Sequence, residues 1–157
     1  MGEKFRKTSG VDLKELIEDL NRAYCDEWLA FYAYTYASQV VSGAGYEDMQ
    51  EFLEKIAGEE LEHQKELADM IIKLGGLPTV NFGEIAKSGN APFPMPPKKT
   101  DDYDGIIKFV IDAEGGAIEV YRKIAKKTLG KEDVVYQLAT HILGEEVNHE
   151  EIFFNLK

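Results

Sequence analysis

Cysteine is almost absent from this chain of 157 residues, which has Cys25 alone. A single cysteine excludes a disulfide within the chain and any metal cluster held by several thiolates of one chain. We expect Cys25 to be a small buried or interface residue. No run approaches the roughly 18–20 apolar residues of a membrane-spanning helix. The start carries Lys4, Arg6 and Lys7 without an apolar run behind them, so we expect no secretion signal and a cytoplasmic protein.

Basic residues are also scarce, since 18 Lys and Arg stand against 29 Asp and Glu, giving a formal net charge of −11. Proteins that bind the phosphates of nucleic acid carry a surplus of positive charge, so nucleic acid is not expected as a partner. The acidic surface has two interpretations, because it can keep a protein dissolved or attract cations. Composition leaves both open.

Glycine and proline divide the chain into four long segments, each with apolar residues at helical spacing. The predicted helices cover residues 11–42, 46–74, 101–129 and 131–156. Asp12 followed by Glu15 can cap the first helix, and the run from Gly75 to Pro78 ends the second. We expect residues 1–10 to be a flexible N-terminus and residues 11–157 to form one all-α domain.

The connections between these helices differ in length. Short links join the first helix to the second and the third to the fourth, so each pair should be an antiparallel hairpin. About 24 residues, 76–99, separate the pairs and hold all five prolines, which predicts an extended connection. This connection is long enough to travel the length of a bundle. The predicted fold is therefore a four-helix bundle with a long crossover that sets the third helix parallel to the second.

Acidic residues interrupt each predicted apolar face, in two helices together with a histidine. The interrupting residues are Glu27 in the first helix, Glu60 and His63 in the second, Glu114 in the third, and Glu146 and His149 in the fourth. Burying one ionised carboxylate without a partner costs several kcal/mol. Four carboxylates at one level of a core would also repel one another, so the pattern requires cations.

The spacing of these residues repeats between the two halves of the chain. Each half has one lone glutamate, followed after 33 residues in the first half and 32 in the second by a Glu-x-x-His motif. The motif places a carboxylate and an imidazole one turn apart on the same helix face. Two lone glutamates and two such motifs are the ligand set of a carboxylate-bridged di-metal site in a helical bundle.

The ligand types indicate which metal the site takes. Four carboxylates and two neutral imidazoles balance the charge of two divalent ions. Mixed oxygen and nitrogen ligation suits iron or manganese, and no thiolate is available in the set for a structural zinc site. We expect two iron ions, because redox chemistry with oxygen or peroxide uses paired sites, and manganese is the alternative. His141 lies about 80° around its helix from His149 and is interpreted as unrelated to the site.

At these residues the chain resembles the ferritin-like superfamily, in particular bacterioferritins, rubrerythrins and Dps-like ferritins, over most of residues 11–156. The resemblance implies that Glu60 and Glu146 bridge the two metals. Glu27 and Glu114 are then terminal ligands, and each of the two histidines binds one metal.

The resemblance also implies roles for residues around the ligands. Tyr34 and Tyr121 match tyrosines that hydrogen-bond ligating glutamates, and the alternative is that they are ordinary amphipathic core residues. Glu59 and Glu145 stand where bacterioferritin-like proteins commonly have an aspartate bonded to a ligand histidine, and glutamate is the longer side chain. Surface exposure is the alternative for these two glutamates.

Departures from the family patterns narrow the resemblance. Leu61 stands where bacterioferritins have the haem methionine, so no haem is expected. Only eight residues follow His149, which leaves no room for the fifth helix of 24-subunit ferritins, and the cysteines of a rubredoxin-like domain are missing. Many Dps proteins build the iron site between subunits, whereas all six ligands here fit one chain. The expected class is a short Dps-like ferritin, a homo-oligomer and by analogy a dodecamer.

Two adjacent glycines, Gly115 and Gly116, directly follow Glu114. Two glycines inside a helix cost up to about 2 kcal/mol relative to alanine. Close helix packing is the preferred explanation, and a local distortion or an access route to the metals is the alternative.

Three functions remain open at this point. The first is a ferroxidase that oxidises Fe(II) with peroxide or oxygen for iron storage and protection against oxidative stress. The second is a rubrerythrin-like peroxidase or another di-iron or di-manganese redox enzyme without mineral storage. The third is a structural helical bundle without metal. We expect the first, an oxidoreductase that acts on metal ions.

Overall fold

The computed structural model describes residues 3–157, and the first two residues of the predicted flexible N-terminus lie outside the described residues. Its helices are α1 (Glu3–Thr8), α2 (Leu13–Val40), α3 (Tyr46–Leu74), α4 (Phe82–Ser88), α5 (Tyr103–Thr128) and α6 (Asp133–Phe154). The four long helices α2, α3, α5 and α6 form the bundle, and the described part of the chain has no strand. The predicted all-α fold is confirmed. None of the described helices is long and apolar enough to cross a membrane.

Local sequence explains where the long helices begin and end. Asp12 caps α2, since its side chain accepts a hydrogen bond from the backbone N–H of Glu15 at 2.9 Å. α3 ends at Gly75, whose φ of 95° lies in the left-handed region that glycine adopts without strain. The predicted bounds of α3 agree with the observed ones, and the other long helices differ from prediction by at most two residues at either end.

The apolar core consists of two clusters, one at each end of the bundle. One cluster joins the start of α2, the end of α3, the end of α5 and the start of α6, and it includes Leu16, Leu74, Ile124 and Val135. The other cluster joins the opposite ends of the same helices and includes Val41, Met49, Ile106 and Phe153. α3 and α5 therefore run in the same direction, as the long crossover predicts.

The crossover from α3 to α5 runs along α2. Near the start of this path, Asn21 of α2 accepts a hydrogen bond from the backbone N–H of Thr79 at 2.9 Å. At its end, the backbone N–H of Ser42 donates to the carbonyl of Thr100 at 3.0 Å. These contacts, one inside the first half of α2 and one just after its last residue, fix the crossover against the bundle.

Two short helices differ from the sequence predictions. The connection expected to be extended contains α4, which Asn81 caps by accepting from the backbone N–H of Gly83 at 2.9 Å and which Ile85 anchors in the core. The segment expected to be flexible contains α1, whose Phe5 packs against the same cluster. Residues 3–8 are thus helical and in contact with the bundle, because Phe5 finds an apolar partner that no local pattern reveals.

Candidate metal centre

The six residues that interrupt the apolar faces lie together in the middle of the bundle, between the two apolar clusters. They are Glu27 from α2, Glu60 and His63 from α3, Glu114 from α5, and Glu146 and His149 from α6. Each is 3% exposed or less. Every long helix contributes, and the Glu-x-x-His spacing of α3 and α6 aims two side chains of each at the same point.

These six side chains form two overlapping groups of four. One group is Glu27, Glu60, His63 and Glu146, and the other is Glu60, Glu114, Glu146 and His149. Within each group, one ligand atom from every residue lies within 4.8 Å of the others. Glu60 and Glu146 belong to both groups, so each of these carboxylates can bridge two positions. Each position then has one histidine and one glutamate of its own.

Both imidazoles turn Nδ1 toward the carboxylates. His63 Nδ1 lies 3.1 Å from Glu60 Oε2 and 3.1 Å from Glu146 Oε1. His149 Nδ1 lies 3.2 Å from Glu114 Oε2 and 3.5 Å from Glu146 Oε2. The two rings are stacked with their centroids 6.2 Å apart. Nδ1 is therefore the atom that each histidine offers to a metal.

The opposite ring nitrogens contact the two glutamates that precede the motif glutamates. His63 Nε2 lies 2.7 Å from Glu145 Oε2, and His149 Nε2 lies 2.5 Å from Glu59 Oε2. A carboxylate at Nε2 holds the proton there and leaves Nδ1 free to bind a metal. The side chains of Glu59 and Glu145 are 36% and 39% exposed, so each reaches from the surface to a buried ring.

Two buried tyrosines hydrogen-bond the remaining glutamates. The hydroxyl of Tyr34 on α2 donates to Glu114 on α5, and the hydroxyl of Tyr121 on α5 donates to Glu27 on α2. Burial, and then the charge of the neighbouring glutamate, raises the pKa of each tyrosine well above its ordinary value. Both hydroxyls therefore remain protonated and keep donating to these carboxylates.

The site concentrates negative charge in the core. Burial, and then the charge of Glu60, raises the pKa of Glu27 well above its ordinary value. Burial, and then the adjacent Glu146 carboxylate, does the same to the pKa of Glu114. Burial lowers the pKa of His63, but the carboxylates of Glu146, Glu27 and Glu60 around its ring outweigh it and raise that pKa above its usual range. The cluster therefore favours bound positive charge, whether protons or metal ions.

Three carboxylate oxygens in the centre are buried without a hydrogen-bond partner among the described residues. They are Oε1 of Glu60 and both side-chain oxygens of Glu146. An unpaired buried polar atom costs about 1–3 kcal/mol, and native proteins rarely retain one without a reason. These oxygens belong to the two residues that both groups share. Divalent ions would satisfy them, so the residues present fit a pair of metals.

The two glutamates that face the histidines each have a further partner, which is a lysine in one half of the chain and a histidine in the other. Lys55 Nζ lies 3.9 Å from Glu59 Oε1, and His141 Nε2 lies 3.6 Å from Glu145 Oε2. Each partner precedes its glutamate by four residues on the same helix, a spacing that could have identified both. His141 lies in neither ligand group, in keeping with the interpretation that it is no ligand, and its contact is with the half-exposed Glu145 that faces His63.

A cavity of about 310 Å³ adjoins the site between α2 and α5, under the crossover, and we name it the α2–α5 cavity. All four carboxylates of the centre line it, and neither histidine does. Gly116 also lines it, and a Cβ built there would meet no atom within 4 Å. At Gly115 the nearest atom would be 3.9 Å away. The explanation of these glycines by close packing is therefore wrong, and Gly116 leaves space beside the metal centre.

Comparisons with known proteins find ferritin-like relatives of this chain. The model of the ferritin-like domain family matches residues 17–156, which include all six clustered residues. The DNA protection during starvation protein of Pyrococcus furiosus is 33% identical over 151 residues, which cover 94% of this chain and 80% of that protein. The dodecameric thioferritin of Bacteroides fragilis, a bacterioferritin-related protein, is 33% identical with a TM-score of 0.93, covering 98% of this chain and 92% of that one. A ferritin-like di-iron-carboxylate protein of Bacillus anthracis is 25% identical with a TM-score of 0.76, covering 92% and 96%.

Proposed function

Because this chain belongs to the ferritin-like family, we propose that its metal centre binds two Fe(II) ions and oxidises them with peroxide or oxygen. The observation that carries the proposal is the sharing of Glu60 and Glu146 by two groups of four ligands. Three oxygens of these two residues are buried without hydrogen-bond partners, as bridging ligands would be. Iron is the substrate here, and manganese is the alternative metal for the same donors.

In this proposal each residue of the centre has a distinct role. Glu60 and Glu146 bridge the ions, and each ion takes one histidine and one further glutamate. Tyr34 and Tyr121 hold those further glutamates in place by hydrogen bonds. Each Fe(II) gives up one electron, so two ions reduce one hydrogen peroxide to two waters with the uptake of two protons. The four carboxylates suit the Fe(III) product, because hard cations prefer oxygen ligands.

Storage and protection extend this chemistry to the assembled protein. The Pyrococcus relative is named for DNA protection during starvation, and the Bacteroides relative is a dodecamer. We infer a homo-oligomer, by analogy a dodecamer, that retains the oxidised iron. Removing Fe(II) and peroxide together protects other molecules from oxidative damage. This protection requires no contact with DNA, in keeping with a net charge of −11.

Metal analysis of purified variants tests the ligand assignment. Glu60→Ala and His63→Ala should lose bound iron, because each removes a ligand from the buried centre. Glu62→Ala is the matched control, since Glu62 lies on the same helix with its side chain 66% exposed and paired to Lys65. Unchanged iron content in Glu60→Ala would reject the assignment and favour a structural bundle.

Size-exclusion chromatography combined with iron loading tests storage. An assembly of about dodecamer size that takes up far more than two irons per chain is the expected result. A dimer that stays at two irons per chain and turns over peroxide would contradict storage. That outcome would favour the rubrerythrin-like peroxidase instead.

A further inference from the structure

The α2–α5 cavity is larger than hydrogen peroxide or oxygen needs. Its volume is about 310 Å³, within the range of pockets that hold organic ligands, roughly 300–1,000 Å³. A water molecule occupies about 30 Å³ in the liquid, and hydrogen peroxide is only slightly larger. The size therefore favours an organic molecule beside the metal centre.

Most of the cavity wall is apolar. Its side chains come from α2, α5 and the crossover and include Leu29, Ala30, Phe109, Ala117, Val120 and Phe93. Gly116 adds space between them, since nothing lies within 4 Å of its Cβ position. An apolar group that binds here moves from water to an apolar surface. This transfer stabilises the bound state by about 25 cal/mol per Å² of apolar surface buried.

Charged groups in the wall, apart from the four carboxylates of the centre, are already engaged. Asp26 accepts hydrogen bonds from the backbone N–H of Asn90 at 2.8 Å and from its side-chain amide at 2.6 Å. Asp112 pairs with Lys108. Outside the centre itself, the wall therefore offers Fe(II) no carboxylate without a partner and suits an uncharged apolar guest.

We propose that the α2–α5 cavity admits organic hydroperoxides, so that the centre reduces alkyl hydroperoxides while Fe(II) is oxidised. The alkyl group lies against the apolar wall, and the peroxide group reaches the end lined by the carboxylates. There the O–O bond breaks with one electron from each of two Fe(II) ions. With two protons from water, the hydroperoxide becomes an alcohol and water, and two Fe(III) remain. This inference rests on the proposed function and names the class of its oxidant.

Binding to the metal-free full-length chain tests the cavity without any iron chemistry. The probe is 2-phenyl-2-propanol, the alcohol formed from cumene hydroperoxide, and calorimetry measures its affinity. Gly116→Leu fills the cavity, and Gly58→Leu is the matched control, because Gly58 is exposed on α3 and its Cβ position also meets no atom within 4 Å. We expect wild type and Gly58→Leu to bind alike and Gly116→Leu to bind at least about tenfold more weakly. No binding to wild type, or equal binding to Gly116→Leu, would overturn the inference.

Stopped-flow oxidation of Fe(II) then separates the two oxidants in the loaded protein. With cumene hydroperoxide, Gly116→Leu should be slower than wild type by about tenfold. With hydrogen peroxide its rate should stay within about twofold, because the small oxidant still fits. Equal slowing with both oxidants would contradict a cavity for the organic group.

Two further outcomes keep this test independent of the proposed function. If wild type oxidises Fe(II) with hydrogen peroxide but not with cumene hydroperoxide, only the present inference fails. If wild type oxidises Fe(II) with neither peroxide nor oxygen, the proposed function fails, while the alcohol titration still decides whether the cavity binds an organic guest. Val120→Phe narrows the same wall from another position and replaces Gly116→Leu should that variant fail to fold.

Discussion

The hydroxyl of Tyr121 on α5 donates a hydrogen bond to the carboxylate of Glu27 on α2. Tyr34 on α2 donates in the same way to Glu114 on α5. The two tyrosine contacts are therefore equivalent, with α2 and α5 exchanging roles. The two histidine contacts are equivalent in the same way, since His63 of α3 contacts Glu145 of α6 and His149 of α6 contacts Glu59 of α3. The two halves of the chain build two equivalent halves of one centre.

Removing one of these hydroxyls should weaken metal binding. In Tyr121→Phe, Glu27 loses its hydrogen-bond donor and its orientation, and residues that hold metal ligands typically contribute about 10–100-fold to affinity. We expect at least about a tenfold loss at one of the two metal positions, measured by titration with Fe(II) under anaerobic conditions. Tyr32→Phe, at a tyrosine 56% exposed, is the control. An unchanged titration curve for Tyr121→Phe would mean that Glu27 needs no such support.

Deleting the Glu60 carboxylate, which we propose as a bridging ligand, should stabilise the metal-free protein and abolish metal binding. Glu60 is 1% exposed, and one of its oxygens has no hydrogen-bond partner. Replacing buried charged groups by apolar residues of similar size is often neutral or stabilising by about 1–4 kcal/mol. Glu60→Leu should therefore raise the free energy of unfolding after chelation of the metal, in urea denaturation. Glu62→Leu, on the exposed face, should change it by less than about 0.5 kcal/mol. A destabilised Glu60→Leu would show that this carboxylate supports the metal-free fold.

The ion pair of Asp19 and Lys127 predicts a pH-dependent contribution to stability. Burial raises the pKa of Asp19, but hydrogen bonds from Lys127 and Arg22 outweigh it and hold that pKa below its ordinary value of 3.8. A lowered carboxylate pKa contributes stability above the ordinary pKa, and this contribution disappears as the pH falls through the folded-state pKa. Lys127→Met should cost about 2 kcal/mol at pH 7.

Urea denaturation at a series of pH values checks this prediction. The difference between wild type and Lys127→Met should shrink as the pH falls from about 4 through the lowered pKa of Asp19. Lys126→Met, at the neighbouring exposed lysine, should show no such dependence. A difference that stays constant down to the lowest pH at which the protein folds would assign the effect to packing of the lysine stem.

Much of the fold and of the centre follows from the sequence for a physical reason. The bounds of α3 are predictable because Gly45 and Gly75 flank it with positive φ angles, which stop a helix on either side. The six clustered residues stand out because an acid within an apolar stripe contradicts the burial of that stripe. Such contradictions mark functional sites in sequences that are otherwise consistent with their fold.

Local sequence patterns do not predict contacts between segments that are distant in the chain. Ile85 becomes a core residue only because the crossover returns along α2, and its local sequence has the glycines and prolines of an extended loop. The sequence shows that Gly116 lowers the stability of its helix relative to alanine. The open space beside its Cα depends on the positions of α2 and the crossover relative to α5. The cavity is therefore a property of the assembled helices, and no single segment encodes it.

Asp26 holds the crossover over the α2–α5 cavity, and its removal should loosen that segment alone. Its carboxylate accepts two hydrogen bonds from Asn90 at 2.8 and 2.6 Å, while Phe93 farther along packs against Tyr32 with ring centroids 6.0 Å apart. Asp26→Ala removes both acceptors and keeps a good helix former in α2. A local loss of about 1–2 kcal/mol corresponds to a roughly 5–30-fold faster amide hydrogen exchange in residues 89–95.

Hydrogen–deuterium exchange with mass spectrometry measures this effect peptide by peptide. Peptides from α3 and α6 should exchange as in wild type, because the lost hydrogen bonds join α2 to the crossover and involve neither of these helices. Asp69→Ala is the matched control, since Asp69 is exposed and forms its ion pair with Lys73 within α3. Unchanged protection of residues 89–95 in Asp26→Ala would show that the packing of Phe93 on Tyr32 is sufficient to hold the crossover. In that case a Phe93→Ala variant, which removes the ring contact instead, should produce the faster exchange.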